Sequence, residues 1–166
     1  SGIGRNISEL DQLIDEILLA SRLDAREADL GTVEQVDLTG LLAEECARAG
    51  ADFSAEGSGG EPVMVKGVVK LLRRVARNLL ENARRYSQGE VSVTLKVSNG
   101  TVVLQVCDRG PGVPTELRER IFEPFYRLPG ASEQSGGVGL GLALVKSITE
   151  RHGGQVSCVG RDGGGA

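Results

Sequence analysis

Two alternating runs, Val91-Ser-Val-Thr-Leu-Lys-Val97 and Thr101-Val-Val-Leu-Gln-Val106, stand on either side of Asn99-Gly100. Alternation with period two marks a half-buried strand. Asn-Gly between two such runs accepts the positive φ angles that a two-residue hairpin turn demands. The pair therefore predicts an antiparallel hairpin with one apolar face that other elements must cover. The stretch just before it, Val69 to Tyr86, predicts a long helix. At 100° per residue Leu72, Val75, Ala76, Leu79, Ala83 and Tyr86 share a stripe facing the core. A second helix opens at Asp37-Leu38-Thr39, carries Leu41, Leu42, Glu45 and Cys46, and ends near Gly50. Short strands are expected at Phe53 to Ala55, Pro62 to Val65 and Gln155 to Val159. A short helix is expected near Pro114 to Phe122 and a longer one from Gly141 to His152. The 24 glycines are too many for a helical bundle and point to turns and close backbone approaches. The order is neither strictly βαβ nor all-β. It predicts an α+β two-layer sandwich, with helices on one face of a mixed, mostly antiparallel sheet.

Ahead of this domain Ile3, Ile7, Leu10, Ile14 and Ile17 step by 4, 3, 4 and 3, a heptad seam. Leu13 and Leu18 widen it towards what a four-helix bundle buries, although an amphipathic helix lying on its own domain would read the same way. The expected organisation is an N-terminal helix over 1–24, a polar linker over 25–36 with a break at Gly31, and a domain over 37–166. A net charge of −4 and a pI near 5.1 argue against a nucleic-acid partner. No apolar run approaches the roughly 20 residues that span a bilayer, and no signal peptide opens the chain. Cys46, Cys107 and Cys158 are odd in number, widely spaced and without a C-x-x-C pair, which fits reduced, packed thiols in a cytosolic protein.

Four stretches are candidates for chemistry. On the Val69 to Tyr86 helix, Arg74, Asn78, Glu81, Asn82 and Arg85 share a second stripe beside the apolar one. Two carboxamides at i and i+4 with a cation at i+7 suit Mg²⁺, which takes hard oxygens and keeps phosphate and water ligands. Arg85 would then reach a terminal phosphate. A solvated helix face fits the same stripe. Asp108 closes a strand and opens Asp108-Arg-Gly-Pro-Gly112; its carboxylate only accepts hydrogen bonds, as the amino group of adenine requires. An ordinary Asp/Gly/Pro turn is the other reading. Gly136 to Leu142 leads into a helix whose free N–H groups and dipole would cradle phosphate, or else forms a glycine hinge. It is neither a Walker loop, since Lys146-Ser147 lies well inside the helix, nor a dinucleotide fingerprint, since the spacing is G-x-G-x-G after a loop. Phe122, Phe125 and Tyr126 flank a loop over 127–135 that could close as a lid hinged at Gly130 and Gly136-Gly137, with Phe122 expected in the core.

Taken in order, these stretches resemble the nucleotide-binding boxes of sensor histidine kinases. Asn78-Leu-Leu-Glu-Asn-Ala-Arg-Arg-Tyr86 resembles the N box, Asp108 to Gly112 the G1 box, Ile121-Phe-Glu-Pro-Phe-Tyr-Arg127 the F box and Gly137-Val-Gly-Leu-Gly-Leu142 the G2 box. Leu10 to Leu23 resembles the close of the second dimerisation helix of those kinases. The resemblance implies the Bergerat-type sandwich shared with gyrase, heat-shock chaperone and mismatch-repair ATPases, with ATP and Mg²⁺ as cofactors. It implies that Asn82 coordinates Mg²⁺ with Asn78 beside it, that Arg85 faces the phosphates, and that Tyr86 lines the base. Asp108 would accept from adenine, supported by Gly110 and Gly112. Arg127 of the F box, and Gly137, Gly139, Leu140, Gly141 and Leu142 of the G2 box, would complete the nucleotide site. The implied activity is a two-component phosphorelay: the γ-phosphoryl group of ATP passes to a histidine outside this chain. The implied partners are the dimerisation and phosphoacceptor domain of the same kinase, homodimeric at full length, and a downstream response regulator. The implied location is cytoplasmic, in a parent that such a resemblance allows to be an inner-membrane sensor. A conformational ATPase and a non-catalytic ATP-sensing module are the rivals, and the helix ending Ser21-Arg22-Leu23 favours the kinase. Three departures stand out. Val68 replaces the Asp that often caps the N-box helix, the family's last strand is expected to be missing beyond Ala166, and the lone His152 sits in helix-ending Arg-His-Gly-Gly154, not at a phosphoacceptor position.

Overall fold

A computed structural model describes residues 31–86, 90–107, 115–123 and 141–157, with the side chains of Arg85, Tyr86 and Thr115 outside that description. The N-terminal helix expected over 1–24 lies outside it as well. The hairpin forms as its sequence requires. β4 (Ser92–Ser98) and β5 (Thr101–Cys107) pair antiparallel from Ser92↔Cys107 to Ser98↔Thr101. Asn99 (φ 52°) and Gly100 (φ 78°) both take the left-handed backbone of the turn. β2 (Asp52–Glu56) joins the other side of β4 in parallel, Asp52↔Ser92 to Glu56↔Lys96, so the described order of this sheet is β2-β4-β5. Beyond β2 the chain passes so close to β4 that a Cβ on Gly57 (φ 83°) would lie 2.1 Å from the carbonyl oxygen of Val97. A separate ribbon pairs β1 (Glu34–Asp37) with β3 (Met64–Gly67), antiparallel.

Two helices cover one face of the sheet and a third packs on one of them. α1 (Leu38–Ala49) starts at Asp37, whose Oδ1 accepts the Gly40 N–H at 2.9 Å, and stops at Gly50 in left-handed conformation (φ 70°). α2 spans Val69–Tyr86 and α3 spans Gly141–Arg151. Val91, Val93 and Leu95 are buried beneath the helices, while Ser92, Thr94 and Lys96 alternate with them. Leu95 packs with Val36, Leu41, Leu42, Val63 and Ala76, and Val91 and Val93 pack with Cys46, Leu80 and Ala83. Each fully buried aliphatic side chain contributes about 1.5–3 kcal/mol. Phe122 is buried at a short 3-10 turn (Arg120–Phe122), as expected.

The structure differs from the sequence expectations in three places. The last residues of the supposed linker are strand β1; one buried apolar residue, Val36, in four is too short a pattern to betray a strand. The buried positions of α2 include Leu71 and Leu80, whereas Leu72, Val75 and Leu79 are only half-buried. α2 is covered on several sides, by the sheet and α1 and by α3, so one stripe underestimates its buried arc. Gln155 to Ser157 carries no regular structure; the remainder of the strand expected there lies outside the described residues.

Candidate functional site

The geometry of the site follows from how α3 lies on α2. Near one end, the Val68 N–H donates to His152 Nε2 at 3.2 Å. Near the other, Asn78 Nδ2 donates to the Gly141 carbonyl at 3.1 Å. The helices therefore run antiparallel and in step, pinned at both ends of a shared span of about 15 Å, ten residues at 1.5 Å each. Between the pins Val68, Leu71, Leu144 and Ile148 form one buried cluster, with Val75 against it. This accounts for an apolar residue at position 68: its side chain packs on α3. His152 Nδ1 lies 2.8 Å from the Ile148 carbonyl, which can only accept. Nδ1 accordingly carries the proton and Nε2 is free to accept from Val68. Gly67 makes room for the ring, since a Cβ there would sit 2.8 Å from His152 Cδ2. His152 is thus occupied inside the fold, and Gly153 (φ 78°) ends the helix beside it.

The antiparallel arrangement points the N-terminus of α3 along the C-terminal half of α2. Asn82, half-buried, lies one turn past Asn78 and so beyond the first residue of α3. Gly141 and Leu142 form the half-buried first turn of α3. A helix start has N–H groups without partners in the helix and the positive pole of the dipole, the physical make-up of an anion cradle. Of the residues singled out by sequence, the structure brings Asn78 against Gly141, with Asn82 one turn further along α2 and Leu142 next in α3. Arg85 and Tyr86 belong to the last turn of α2. Asp108, Gly110, Gly112, Arg127, Gly137, Gly139 and Leu140 lie outside the described residues. Magnesium fits this end through the chemistry of its donors. Carboxamide oxygens are hard ligands of the kind magnesium takes.

The opposite flank of α2 is clasped to α1 by charges. Glu45 is buried (2% exposed); its Oε1 accepts from Arg73 Nη1 at 2.8 Å and its Oε2 from Arg77 Nε at 3.0 Å. Arg73 also reaches Glu44 at 3.0 Å, and Arg84 donates to the Ala49 and Gly50 carbonyls at the end of α1. Burial pushes the Glu45 carboxyl up, but the hydrogen bonds of Arg73 and Arg77 and the charges of Arg77 and Arg48 outweigh it and hold it below the usual range. Burial, and then the Glu45 charge, push the neighbouring Cys46 thiol up, which makes it a packed, unreactive thiol. The sequence reading missed this clasp. Its signal was present: a Glu inside the apolar stripe of α1, with Arg73 and Arg77 spaced i, i+4 on the next helix.

Residues 67–166 match the model of the histidine kinase-, DNA gyrase B- and HSP90-like ATPases. The chain belongs to this family. Similar curated proteins of the family are sensor kinases. They include the sensor protein RstB of Escherichia coli (40% identical over 174 residues, covering 99% of this chain and 39% of that protein) and the sensor protein CutS of Streptomyces coelicolor (37% over 160 residues, 92% and 38%). The chain spans about two fifths of the length of these relatives. Among solved structures, full-length ShkA in complex with AMPPNP superimposes with a TM-score of 0.72 at 30% identity, covering 94% of this chain and 34% of that one. The catalytic domain of histidine kinase ThkA, nucleotide-free, gives 0.66 at 27% identity over 81% and 91%. The α+β sandwich expected from the sequence is thus the fold of this ATPase family. No described helix is long and apolar enough to cross a membrane.

Proposed function

We propose that this chain is the catalytic module of a two-component sensor histidine kinase, which binds Mg-ATP and gives the γ-phosphoryl group to a histidine on another segment or chain. The observation that carries the reading is the pinned α2–α3 pair, which sets the positive end of α3 against the stretch of α2 bearing Asn82. In this reading Asn82 supplies an oxygen to magnesium and Arg85 faces the phosphates. Asp108, flanked by Gly110 and Gly112, accepts from the adenine amino group, and Tyr86 lines the base. Arg127 with Gly137, Gly139, Leu140, Gly141 and Leu142 encloses the phosphates. Bound magnesium would supply charge neutralisation, and the protein contributes mainly by positioning. The acceptor histidine belongs to a dimerisation domain of the same kinase, homodimeric at full length. A response regulator then takes the phosphoryl group, and the module works on the cytoplasmic side, where ATP is. His152 serves none of this, because both its ring nitrogens are engaged in the fold. The test incubates the chain with labelled Mg-ATP and a separately produced, histidine-bearing dimerisation domain. Acid-labile, base-stable label on that domain is the expected result; binding of ATP without any transfer would leave only a nucleotide-sensing module.

A further inference from the structure

Asn78 stands on the chemically suggestive stripe of α2, yet its side chain is buried (4% exposed) and committed to the Gly141 carbonyl. A carbonyl oxygen can only accept, so the carboxamide must present Nδ2 to it. That orientation settles which end of the amide does what: the nitrogen holds α3, and the oxygen is turned away from Gly141. Gly141 is the first residue of α3, where four N–H groups lack helical partners and fraying begins. The contact joins residues 63 apart in sequence, at the point where the Gly-rich stretch becomes helix. At the far end the helix pair is held by His152 and Val68, and in the middle by Leu71, Leu144 and Ile148. Without Asn78, the only pins described on this pair would lie away from the site end.

We infer that Asn78 is a positioning residue: its amide N–H latches the first turn of α3 to α2, holding the anion-facing N–H groups of α3 in register with Asn82. The inference deepens the proposed function and rests on it for what the latch serves. It assigns Asn78 a role separate from metal ligation. It also accounts for an amide here, since a carboxylate would set a second acceptor against the Gly141 carbonyl.

Asn78→Asp separates the two roles, because a carboxylate is a better magnesium ligand than an amide but cannot donate. In Asn78→Asp at pH 7.5, affinity for Mg-AMPPNP should fall roughly tenfold, the scale of a lost hydrogen bond with a stranded carbonyl. Affinity for ADP in excess chelator should fall by a similar factor. Burial against a carbonyl raises the pKa of a carboxyl, and the protonated Asp regains a donor, so the deficit relative to wild type should shrink progressively as pH falls from 7.5 to 5.5. Asn78→Ala should show the deficit at both pH values. Hydrogen exchange without nucleotide gives an independent readout: amides of the first turns of α3 should exchange faster in Asn78→Asp than in wild type at pH 7.5, with the β4–β5 hairpin unchanged. Unaltered exchange in α3, or Asn78→Asp binding Mg-AMPPNP as tightly as wild type at pH 7.5, overturns the latch. Loss of affinity confined to the magnesium-bound nucleotide also overturns it, in favour of metal ligation. Wild-type protein that binds no nucleotide would remove the proposed function instead, while the exchange comparison still decides the latch.

Discussion

At the scale of single residues, two neighbouring carboxamides on one helix do different work because of what lies against them. Asn78 faces the Gly141 carbonyl and is buried; Asn82, a turn further on, passes beyond the end of α3 and keeps partial exposure. In the proposed function Asn82 is accordingly the amide assigned to magnesium. Asn82→Ala should abolish magnesium-dependent ATP binding, as calorimetry would record, while thermal unfolding stays within about 0.5 kcal/mol of wild type, as for a change away from the core. Undiminished Mg-ATP affinity in the folded variant would remove Asn82 from the metal. The pairing of Asn78 and Asn82 was legible in the sequence, since i, i+4 spacing puts both on one side of a helix. Their division of labour was not. It depends on Gly141, 63 residues along the chain from Asn78, and no local pattern reports such a contact.

At the scale of elements, α2 is held on one flank by a charge clasp and on the other by apolar packing, and the two should respond differently to acid. The Glu45 carboxyl sits below its usual value in the fold, so it binds a proton more weakly there than in the unfolded chain. Its stabilising effect is present above the ordinary carboxylate range, near about pH 4, and is lost as pH falls through the lowered folded value. Glu45→Gln should cost about 1–3 kcal/mol at pH 7, because Arg73 and Arg77 lose their charged acceptor. Melting curves of wild type and Glu45→Gln should converge as pH drops from 5 towards 3; parallel curves would contradict the clasp. Element boundaries were legible wherever a local rule governs them. Asp37 and Gly50 bracket α1 by capping, and Asn99-Gly100 turns the hairpin. β1 was not legible, because Val36 alone carries its burial and its pairing with β3 is decided across the fold. The clasp escaped for the same reason: Glu45 looks misplaced in an apolar stripe until Arg73 and Arg77 are seen opposite it.

At the scale of the whole molecule, the chain is built to present one end of a helix pair. The sheet and α1 support α2 from beneath, the clasp holds its flank, and α3 is pinned in antiparallel step so that its N-terminus meets the carboxamide stretch. Among the described residues of this arrangement, no carboxylate stands one turn before Asn82. In gyrase- and chaperone-type members of the family, as the resemblance implies, a Glu one turn before the magnesium-binding Asn activates water. Here Asn78 holds that place, with no oxygen basic enough to take a proton at neutral pH, and its nitrogen is committed to Gly141. Glu81 precedes Asn82 directly, about 100° around the helix from it, and is exposed. The chain should hold ATP without spending it on water, leaving the γ-phosphoryl group for a histidine delivered from outside. The most direct test is steady-state ATP hydrolysis by the chain alone, with saturating Mg-ATP and binding verified in parallel. The account predicts turnover far below the roughly 1–1000 s⁻¹ of typical enzymes, unchanged in Glu81→Gln. Turnover inside that range, abolished by Glu81→Gln or by Asn78→Ala, would contradict the account and make the chain a hydrolase.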